Sequence, residues 1–235
     1  MIDEVPAAWS RRGLLRSAAV VAGCAVMPGA VAKTLTPASS AGAAALKTTA
    51  LEPRAAVAKR LGEASRVVRP ELFREALKAL ESHGSRVRVR DRIAIADFNR
   101  ASSSPRLHLV DLADGDTTTL LVAHGSGSDP GHTGYLSRFS NAFGSNASCA
   151  GAFVTSNYYV GKHGKSQRLV GLDPTNNNAL GRAIVIHGAW YANRDMLTKH
   201  GKLGRSQGCF AVGEGDLERL FARLGEGRMI YAAKS

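Results

Sequence analysis

The amino-acid sequence predicts a mostly β domain of roughly 165 residues with a helix at each end. Three observations support this prediction. Short apolar runs that suit strands follow one another between residues 92 and 232, most of them with a period of two residues. Stripes with helical period occur before them at 70–80 and again at 217–224. The 25 glycines indicate many turns, and a chain of 235 residues that is 44% apolar can bury a core.

The two predicted helices begin or end at residues suited to those positions. Pro70 fits the first turn of a helix, and Gly84 fits the position after the last turn. Gly225 ends the second helix in the same way. The apolar residues on one face are Leu72, Phe73, Ala76, Leu77 and Leu80 in the first helix and Leu217, Leu220, Phe221 and Leu224 in the second.

Seven strands are predicted from the apolar runs, with turn residues such as those at 102–105 and 114–116 between them. The run 183–186 is continuous rather than alternating, so it is predicted to be a buried strand that ends at His187 and Gly188. The seven predicted strands are 92–98, 106–112, 117–124, 151–155, 168–172, 183–186 and 228–232.

The formal net charge of +12 favours anionic partners in general: nucleic acid, phospholipid head groups or acidic wall polymers. The basic residues are scattered, however, and the sequence contains no basic block with interleaved aromatic residues. No apolar run reaches the roughly 18–20 residues of a membrane span. We therefore expect neither a nucleic-acid partner nor a membrane span. The charge alone is equally compatible with a soluble protein that is simply basic.

The first 32 residues have the composition of an export signal. Arg11 and Arg12 lie in a charged segment, a short apolar stretch follows, and residues 30–32 form a small-x-small cleavage site. The paired arginines, with leucines two and three residues later, resemble the twin-arginine signature for export of folded proteins. An ordinary secretory signal, a buried helix and a lipoprotein processed at Cys24 are the alternatives. We expect cleavage after Ala32 and a periplasmic or cell-envelope location.

Residues 33–66 are rich in Ala, Ser, Thr and Lys, and they are interpreted as a linker to a folded domain at 67–235. The domain contains two cysteines, Cys149 and Cys209. In an oxidising compartment such a pair usually indicates a disulfide. The alternative is that at least one thiol is kept free for chemistry.

The segment from Arg205 to Cys209 is the best candidate for that chemistry. A cysteine directly after Gly208 can be presented beside backbone amides that would form an oxyanion hole. A free thiol with a pKa of about 8.5 is only slightly ionised at neutral pH, so it needs a base or a nearby cation. His187, at the end of its apolar strand, is the best base, and Arg205 is the nearby cation. On spacing alone, a buried structural thiol is the alternative.

His124 and His163 are two further candidates for the site. His124 is followed by glycine at a predicted strand end, as His187 is, and it is expected to line the same pocket; a plain turn residue is the alternative. His163 lies in a Lys-His-Gly-Lys segment that is either a contact for an acidic ligand or a solvated hairpin tip. The spacing of these histidines and Cys209 matches no standard zinc ligand set, so no metal site is predicted.

Together these residues resemble the catalytic domain of the L,D-transpeptidases, the YkuD-type family of bacterial cell-wall enzymes. The family pattern is a His-Gly pair at a strand end and then a Ser-x-Gly-Cys loop, here His187-Gly188 and Ser206 to Cys209. Other segments resemble the branch with a longer middle section, so the similarity covers approximately residues 92–232. Those segments are Phe139-Ser140-Asn141, Gly161-Lys162-His163-Gly164, Arg168-Leu169-Val170-Gly171-Leu172 and residues 201–206.

The resemblance implies a β-sandwich or barrel-like fold and a cysteine acyl transferase that acts on peptidoglycan stem peptides without metal or organic cofactor. Cys209 would attack the carbonyl of the third residue of a stem tetrapeptide and expel the terminal D-alanine. His187, oriented by the Gly188 carbonyl, would move the proton. The acyl group would pass to an amine, giving a 3→3 cross-link, or to water. The residues expected to form the oxyanion hole or to bind substrate are Gly208, Ser206, Arg205, His124 and His163.

Two positions depart from the commonest form of the motif. Gln207 stands where histidine usually precedes the glycine, and Ala211 stands two places after the cysteine, where Arg or Asn is usual. Neither is the expected nucleophile or base, so the expected reaction class is unchanged. Both positions bear on the substrate contacts, so the choice among transpeptidation, carboxypeptidation and cleavage of existing cross-links stays open. A non-catalytic wall-binding module is the alternative from another class; the cysteine argues against it, because a binding module needs no thiol there.

Overall fold

The computed structural model describes Gly62, Ala64 and residues 66–234. The predicted signal peptide, and all but the last few residues of the predicted linker, lie outside the described residues. Ala64 and Val68 are buried in an apolar cluster with the helix that follows them. In the described part of the chain, no helix is both long enough and apolar enough to cross a membrane.

Within the described residues, eight strands form one mixed sheet. They are β1 (Arg92–Asp97), β2 (Leu107–Asp111), β3 (Thr117–Leu120), β4 (Gly151–Gly161), β5 (Gly164–Gly171), β6 (Val185–Gly188), β7 (Phe210–Val212) and β8 (Met229–Ala233). Their order across the sheet is β3-β2-β1-β8-β4-β5-β6-β7. The pairs β1–β8 and β6–β7 are parallel, and the other neighbours are antiparallel.

Three α-helices lie wholly within the described residues. They are α1 (Pro70–Ser82), α2 (Asp195–His200) and α3 (Leu217–Leu224). Pro70 occupies the first turn of α1, and the left-handed glycines Gly201 and Gly225 follow α2 and α3. Short 3₁₀ turns are formed by Ser126–Ser128, Trp190–Ala192 and Glu214–Asp216.

The two faces of the sheet are covered by different clusters. In β1, Ala94 and Ala96 belong to the main apolar core together with α3, whereas Ile93 packs with Leu72 of α1 in a second cluster. Successive residues of a strand point to opposite faces. The main core therefore lies on one face of the sheet, and α1 covers part of the other.

The two ends of the sheet meet. After β3 the chain runs on to Ala123, whose N–H donates to the Ala211 carbonyl of β7 at 2.8 Å. A second bridge joins Gly125 to Ser206. These contacts close the sheet into a barrel-like shape around the main core.

The predicted fold class, mostly β with a few flanking helices, is confirmed. All seven predicted strands are present, although β4 continues to Gly161 and β3 ends at Leu120. The sequence analysis missed β7 and α2. A strand of three residues and a helix of six contain too few apolar positions for a period to be detected.

Candidate active site

His187 lies in β6, opposite Ser166 of β5 and Ala211 of β7. Its side chain is buried, and Nδ1 lies 2.9 Å from the Gly188 carbonyl oxygen. Burial lowers the pKa of His187, although the hydrogen bond to Gly188 acts in the opposite direction. The ring is therefore neutral at pH 7. Because a carbonyl only accepts, Nδ1 carries the proton and Nε2 keeps a lone pair that can accept one.

Cys209 immediately precedes β7, at the end of a tightly fixed loop. Gly208 before it has φ of 111°, a conformation that residues with a Cβ rarely adopt. The Ser206 hydroxyl accepts the Gly208 N–H at 3.1 Å and donates to the Cys209 carbonyl at 2.8 Å. The Gly208 amide is thus engaged, which differs from the expectation that it is free for an oxyanion hole.

The Cys209 thiol is protonated at rest. Burial raises its pKa, while a backbone hydrogen bond from Val185 and the positive charges of Lys162 and Arg182 act in the opposite direction. The Sγ atom lies 3.6 Å from the Ala183 carbonyl oxygen. A thiol in this state needs a base before it can attack a carbonyl.

His187 and Cys209 face the same cleft. Ile186 and Phe210 point into the main core, so their neighbours His187 and Cys209 point to the opposite face of the sheet. The strands that carry them are adjacent and parallel, with a spacing of roughly 4.8 Å. Both side chains line a cleft of about 560 Å³. The structure therefore brings the expected base and nucleophile together.

The cleft is basic. Lys162, Arg182 and Arg205 line it, and within the described residues no aspartate or glutamate does. This charge distribution favours an anionic ligand. In the described part of the chain, no group of three or more His, Cys, Asp or Glu side chains could hold a metal ion. The other residues of the wall are Gly144, Asn146, Tyr159, His163, Ala183, Val185, Tyr191, Ser206 and Gln207.

His163 lies at the tip of the β4–β5 hairpin, between Gly161 and Gly164. Its ring stacks on that of His187, with centroids 4.3 Å apart and 20° between the planes. Burial lowers the pKa of His163, and the charge of Lys162 acts in the same direction. The segment is therefore a hairpin tip, as one of the two interpretations predicted, and this tip is also part of the cleft wall.

His124 does not line the cleft, which differs from its expected place in the pocket. It is fully buried; Nδ1 accepts from Arg106 Nη2 at 2.7 Å, and Nε2 donates to Asp129 Oδ2 at 3.3 Å. Arginine only donates, so this contact fixes the tautomer. Burial, assisted by the charge of Arg106, lowers the pKa of His124 to about 4. The histidine belongs to a buried scaffold beneath the site.

Arg205 and Ser206 attach the cysteine loop to this scaffold. Arg205 Nη1 donates to the backbone carbonyls of Asp129 and Pro130, the latter at 3.2 Å. The Ser206 N–H donates to the His124 carbonyl at 2.9 Å. The start of the loop is therefore fixed by His124, Asp129 and Pro130, which do not line the cleft.

Arg182 and Cys149 form a contact network that the sequence analysis missed. Arg182 donates to the Ser140 carbonyl at 2.7 Å, to Cys149 Sγ at 2.8 Å and to the Ala147 carbonyl at 2.6 Å. Burial raises the pKa of the Cys149 thiol, and Arg182 opposes this. Cys149 and Cys209 are both free thiols, not a disulfide. No local signal could reveal these contacts, because the partners of Arg182 are distant in the chain.

Tyr191 closes another side of the cleft. It is packed against the cysteine loop, since the Gly204 N–H donates to its carbonyl at 2.7 Å. A Cβ atom at Gly204 would lie 2.6 Å from the Tyr191 Cβ, so only glycine permits this approach. Burial, with a smaller effect from Cys209, raises the pKa of Tyr191 to about 12. Trp190 beside it is 66% exposed.

A barrel-like domain with a cysteine and a histidine in one basic cleft has the side chains that nucleophilic catalysis by a thiol requires. The chain belongs to the family of L,D-transpeptidase catalytic domains, whose model matches residues 64–233. The resemblance drawn from the His-Gly and Ser-x-Gly-Cys motifs is therefore confirmed.

Solved structures similar to this chain are also L,D-transpeptidases. One from Mycobacterium smegmatis is 11% identical, with a TM-score of 0.38 over 61% of this chain and 58% of that chain. One from Mycobacterium tuberculosis H37Rv is 14% identical, with a TM-score of 0.36 over the same shares. An L,D-transpeptidase in complex with imipenem is 12% identical, with a TM-score of 0.38 over 61% and 59%. This chain thus covers less than two thirds of their lengths. Comparison with curated proteins gave no match.

Proposed function

We propose that the protein is an exported cysteine acyl transferase that acts on peptidoglycan stem tetrapeptides and forms 3→3 cross-links. The observation that carries this proposal is the pairing of Cys209 with a neutral, oriented His187 in one cleft. Membership of the L,D-transpeptidase family supports the substrate class. The proposal includes a signal peptide at 1–32, a linker at 33–66 and a periplasmic or cell-envelope location.

The first half of the reaction makes a thioester. Nε2 of His187 takes the proton of the Cys209 thiol, and Sγ attacks the carbonyl carbon of the third stem residue. The negative charge on the carbonyl oxygen is stabilised by backbone N–H groups; since the Gly208 amide is engaged by Ser206, the Cys209 amide is the candidate donor. The bond to D-alanine then breaks, and His187 returns its proton to the leaving amine.

The second half passes the acyl group to an acceptor. An amine of a neighbouring stem attacks the thioester, loses a proton to His187 and releases the Cys209 thiol, which leaves an amide cross-link. Water in place of the amine would give a carboxypeptidase, and the same chemistry on an existing cross-link would hydrolyse it. The basic walls formed by Lys162, Arg182 and Arg205 suit the carboxylates of a stem tetrapeptide and of an existing cross-link alike.

The test is a mass-spectrometric assay of the protein with a disaccharide-tetrapeptide. We expect loss of D-alanine together with a cross-linked dimer. Cys209→Ala should lower both products by roughly 10⁴-fold or more, because the nucleophile is removed. Cys149→Ala, which removes the other cysteine of the domain, is the matched control and should retain them.

The outcomes separate the rival functions. Loss of D-alanine without a dimer would replace the transferase by a hydrolase with the same site. No product from a folded, reduced protein would contradict the acyl transferase and leave the wall-binding module. Products that persist in Cys209→Ala would show that the thiol is not the nucleophile.

A further inference from the structure

A second recess adjoins the main cleft. It has a volume of about 270 Å³ and shares three wall residues with the cleft, namely Tyr159, Ala183 and Val185. The Ala183 carbonyl oxygen is also 3.6 Å from Cys209 Sγ, so the recess borders the nucleophile. Its remaining walls are Arg168, Leu180 and Ile184. Apart from Arg168 and Tyr159, these walls are apolar.

The register of the sheet places Arg168 in line with the nucleophile. Arg168 of β5 lies opposite Val185 of β6, and the Val185 backbone contacts the Cys209 thiol. Arg168 lies on β5, two strands from β7, which Cys209 directly precedes, and neighbouring strands are roughly 4.8 Å apart. Residues directly opposite each other on neighbouring strands point to the same face. Arg168 therefore points to the side of the sheet that holds the cleft.

The Arg168 guanidinium has no acidic partner among the described residues. Its Cζ lies 4.0 Å from the centroid of the Tyr159 ring. Its Nη1 nitrogen is buried and has no hydrogen-bond partner in the part of the chain that the structure describes. A buried donor without an acceptor is unfavourable, and an anion bound in the recess would remove that cost.

The other cations of the cleft are less suited to this task. Arg182 and Arg205 already donate to backbone carbonyls. Lys162 is exposed at the hairpin tip, outside the apolar walls of the recess. Among these four residues, Arg168 is the one that lines the recess and also has a buried donor nitrogen without an acceptor.

We propose that Arg168 and its recess form a subsite for a carboxylate of the acyl donor, with the apolar part of the same donor residue against Leu180 and Ala183. This inference rests on the proposed function. A stem tetrapeptide offers two such groups next to the scissile bond, the terminal carboxylate of D-alanine and the distal carboxylate of the third, diamino acid residue. Recognition by a guanidinium would be bidentate and charge-assisted.

The test compares three donors: the tetrapeptide, the same peptide with a C-terminal carboxamide, and the peptide with L-lysine as third residue. The readout is kcat/KM for cysteine-dependent release of the terminal residue. We expect Arg168→Gln to lower kcat/KM by about 10- to 100-fold, mainly through KM, on donors that carry the recognised carboxylate. It should not affect the donor that lacks that carboxylate, and Arg168→Lys should restore part of the loss.

The three donors show which carboxylate Arg168 binds, and they reveal whether Arg168 has only a structural role. The donor on which Arg168→Gln has no effect identifies the group. An equal fall in kcat/KM of Arg168→Gln on all three donors, or no fall on any of them, would overturn the subsite. The subsite would also be overturned if Lys162→Gln, and not Arg168→Gln, removed the difference in kcat/KM between the donors. Arg74→Gln, an exposed charge removal on α1, is the control and should change nothing.

Failure of the proposed function is recognised separately. If the wild type releases nothing from any donor while iodoacetamide still alkylates Cys209, the acyl transfer itself is contradicted and the subsite falls with it. If the wild type reacts and only the Arg168 comparison fails, the transferase stands without the subsite.

Discussion

At the scale of single residues, the candidate active site contains a half-buried thiol, Cys209, and a buried imidazole, His187, both of which can gain or lose a proton. Burial raises the pKa of the Cys209 thiol and lowers the pKa of the His187 imidazole. Both shifts favour a neutral thiol–imidazole pair over a thiolate–imidazolium pair. In the proposed reaction the proton would therefore leave the thiol during the attack, and His187, oriented by the Gly188 carbonyl, would accept it.

The first residue-scale prediction is a pH profile. The acid limb of kcat/KM for D-alanine release should have its midpoint below pH 6.5, since protonated His187 cannot accept a proton and its pKa is lowered. Alkylation of Cys209 by iodoacetamide, which needs the thiolate, should rise with a midpoint above pH 9. Both are measured between pH 4 and 10, with Cys209→Ala as blank. An alkylation rate that is already flat at pH 6 would reveal a preformed ion pair.

The second residue-scale prediction concerns the backbone at Gly208. A Cβ atom there would lie 2.7 Å from the Ala147 carbonyl oxygen and 2.8 Å from Ile184 Cδ1, at a φ of 111°. Gly208→Ala should therefore lower the free energy of unfolding by about 1–3 kcal/mol and displace Cys209, with loss of most activity. Gly215→Ala, where a Cβ meets nothing within 4 Å, is the control. Equal denaturant midpoints for the two variants would contradict the argument.

At the scale of elements, the cysteine loop is attached to a buried polar network, formed by Arg106, His124 and Asp129, which does not line the cleft. Arg106 is fully buried, donates to the Val122 and Arg100 carbonyls at 3.1 and 2.8 Å, and contacts His124. Burial lowers the pKa of Arg106 to about 9, so it stays charged at pH 7. His124 then holds Asp129, whose carbonyl accepts from Arg205. These buried groups therefore position the cysteine loop.

The buried histidines His108 and His124 predict that the fold is less stable in acid. The pKa values of His124 and His108 are lowered to about 4 by burial, against about 6.5 in the unfolded chain. Between these values the unfolded state binds more protons, so stability rises with pH and is lost as pH falls from 6.5 toward 4. We expect each histidine to contribute up to about 3 kcal/mol to this loss in urea titrations.

His124→Asn should flatten the dependence of unfolding free energy on pH, whatever its effect at pH 7. His200→Asn, at the exposed end of α2, should leave the slope as in the wild type. A slope that His124→Asn does not reduce would show that the acid sensitivity arises elsewhere.

The elements also show what a sequence can reveal. The helices α1 and α3 and seven strands were predictable, because their apolar runs are long enough to be recognised. The positions of His187 at a strand end and of Cys209 after Gly208 could also be predicted from the sequence. The contacts of Arg182, the burial of His124 and the recess at Arg168 were not, because they arise from segments that meet only in the folded sheet. His124 shows the limit well: its local pattern is that of His187, yet Arg106 and Asp129 make it structural.

At the scale of the whole molecule, the part of the sheet that packs against α1 and the part that carries the candidate site are different. The outer face of β1 and β8 packs against α1, with Ile93 and Met229 in the same cluster. The outer face of β6 and the start of β7 carry the site. Because the main core lies behind both, substitutions at the cleft can change the chemistry while most of the apolar packing stays intact.

The position of β8 has a consequence for biosynthesis. This strand pairs with β1 on one side and β4 on the other, and it supplies the register between them. Among the described strands it is the last to leave the ribosome, so β1 and β4 are synthesised before the strand that joins them. Until then β1 can pair with β2 and β4 with β5, but the edges at Ile93 and Phe153 that later pair with Met229 and Ile230 are open. Two strand edges that could pair with another chain are therefore exposed until β8 is added, and its synthesis removes this route to aggregation.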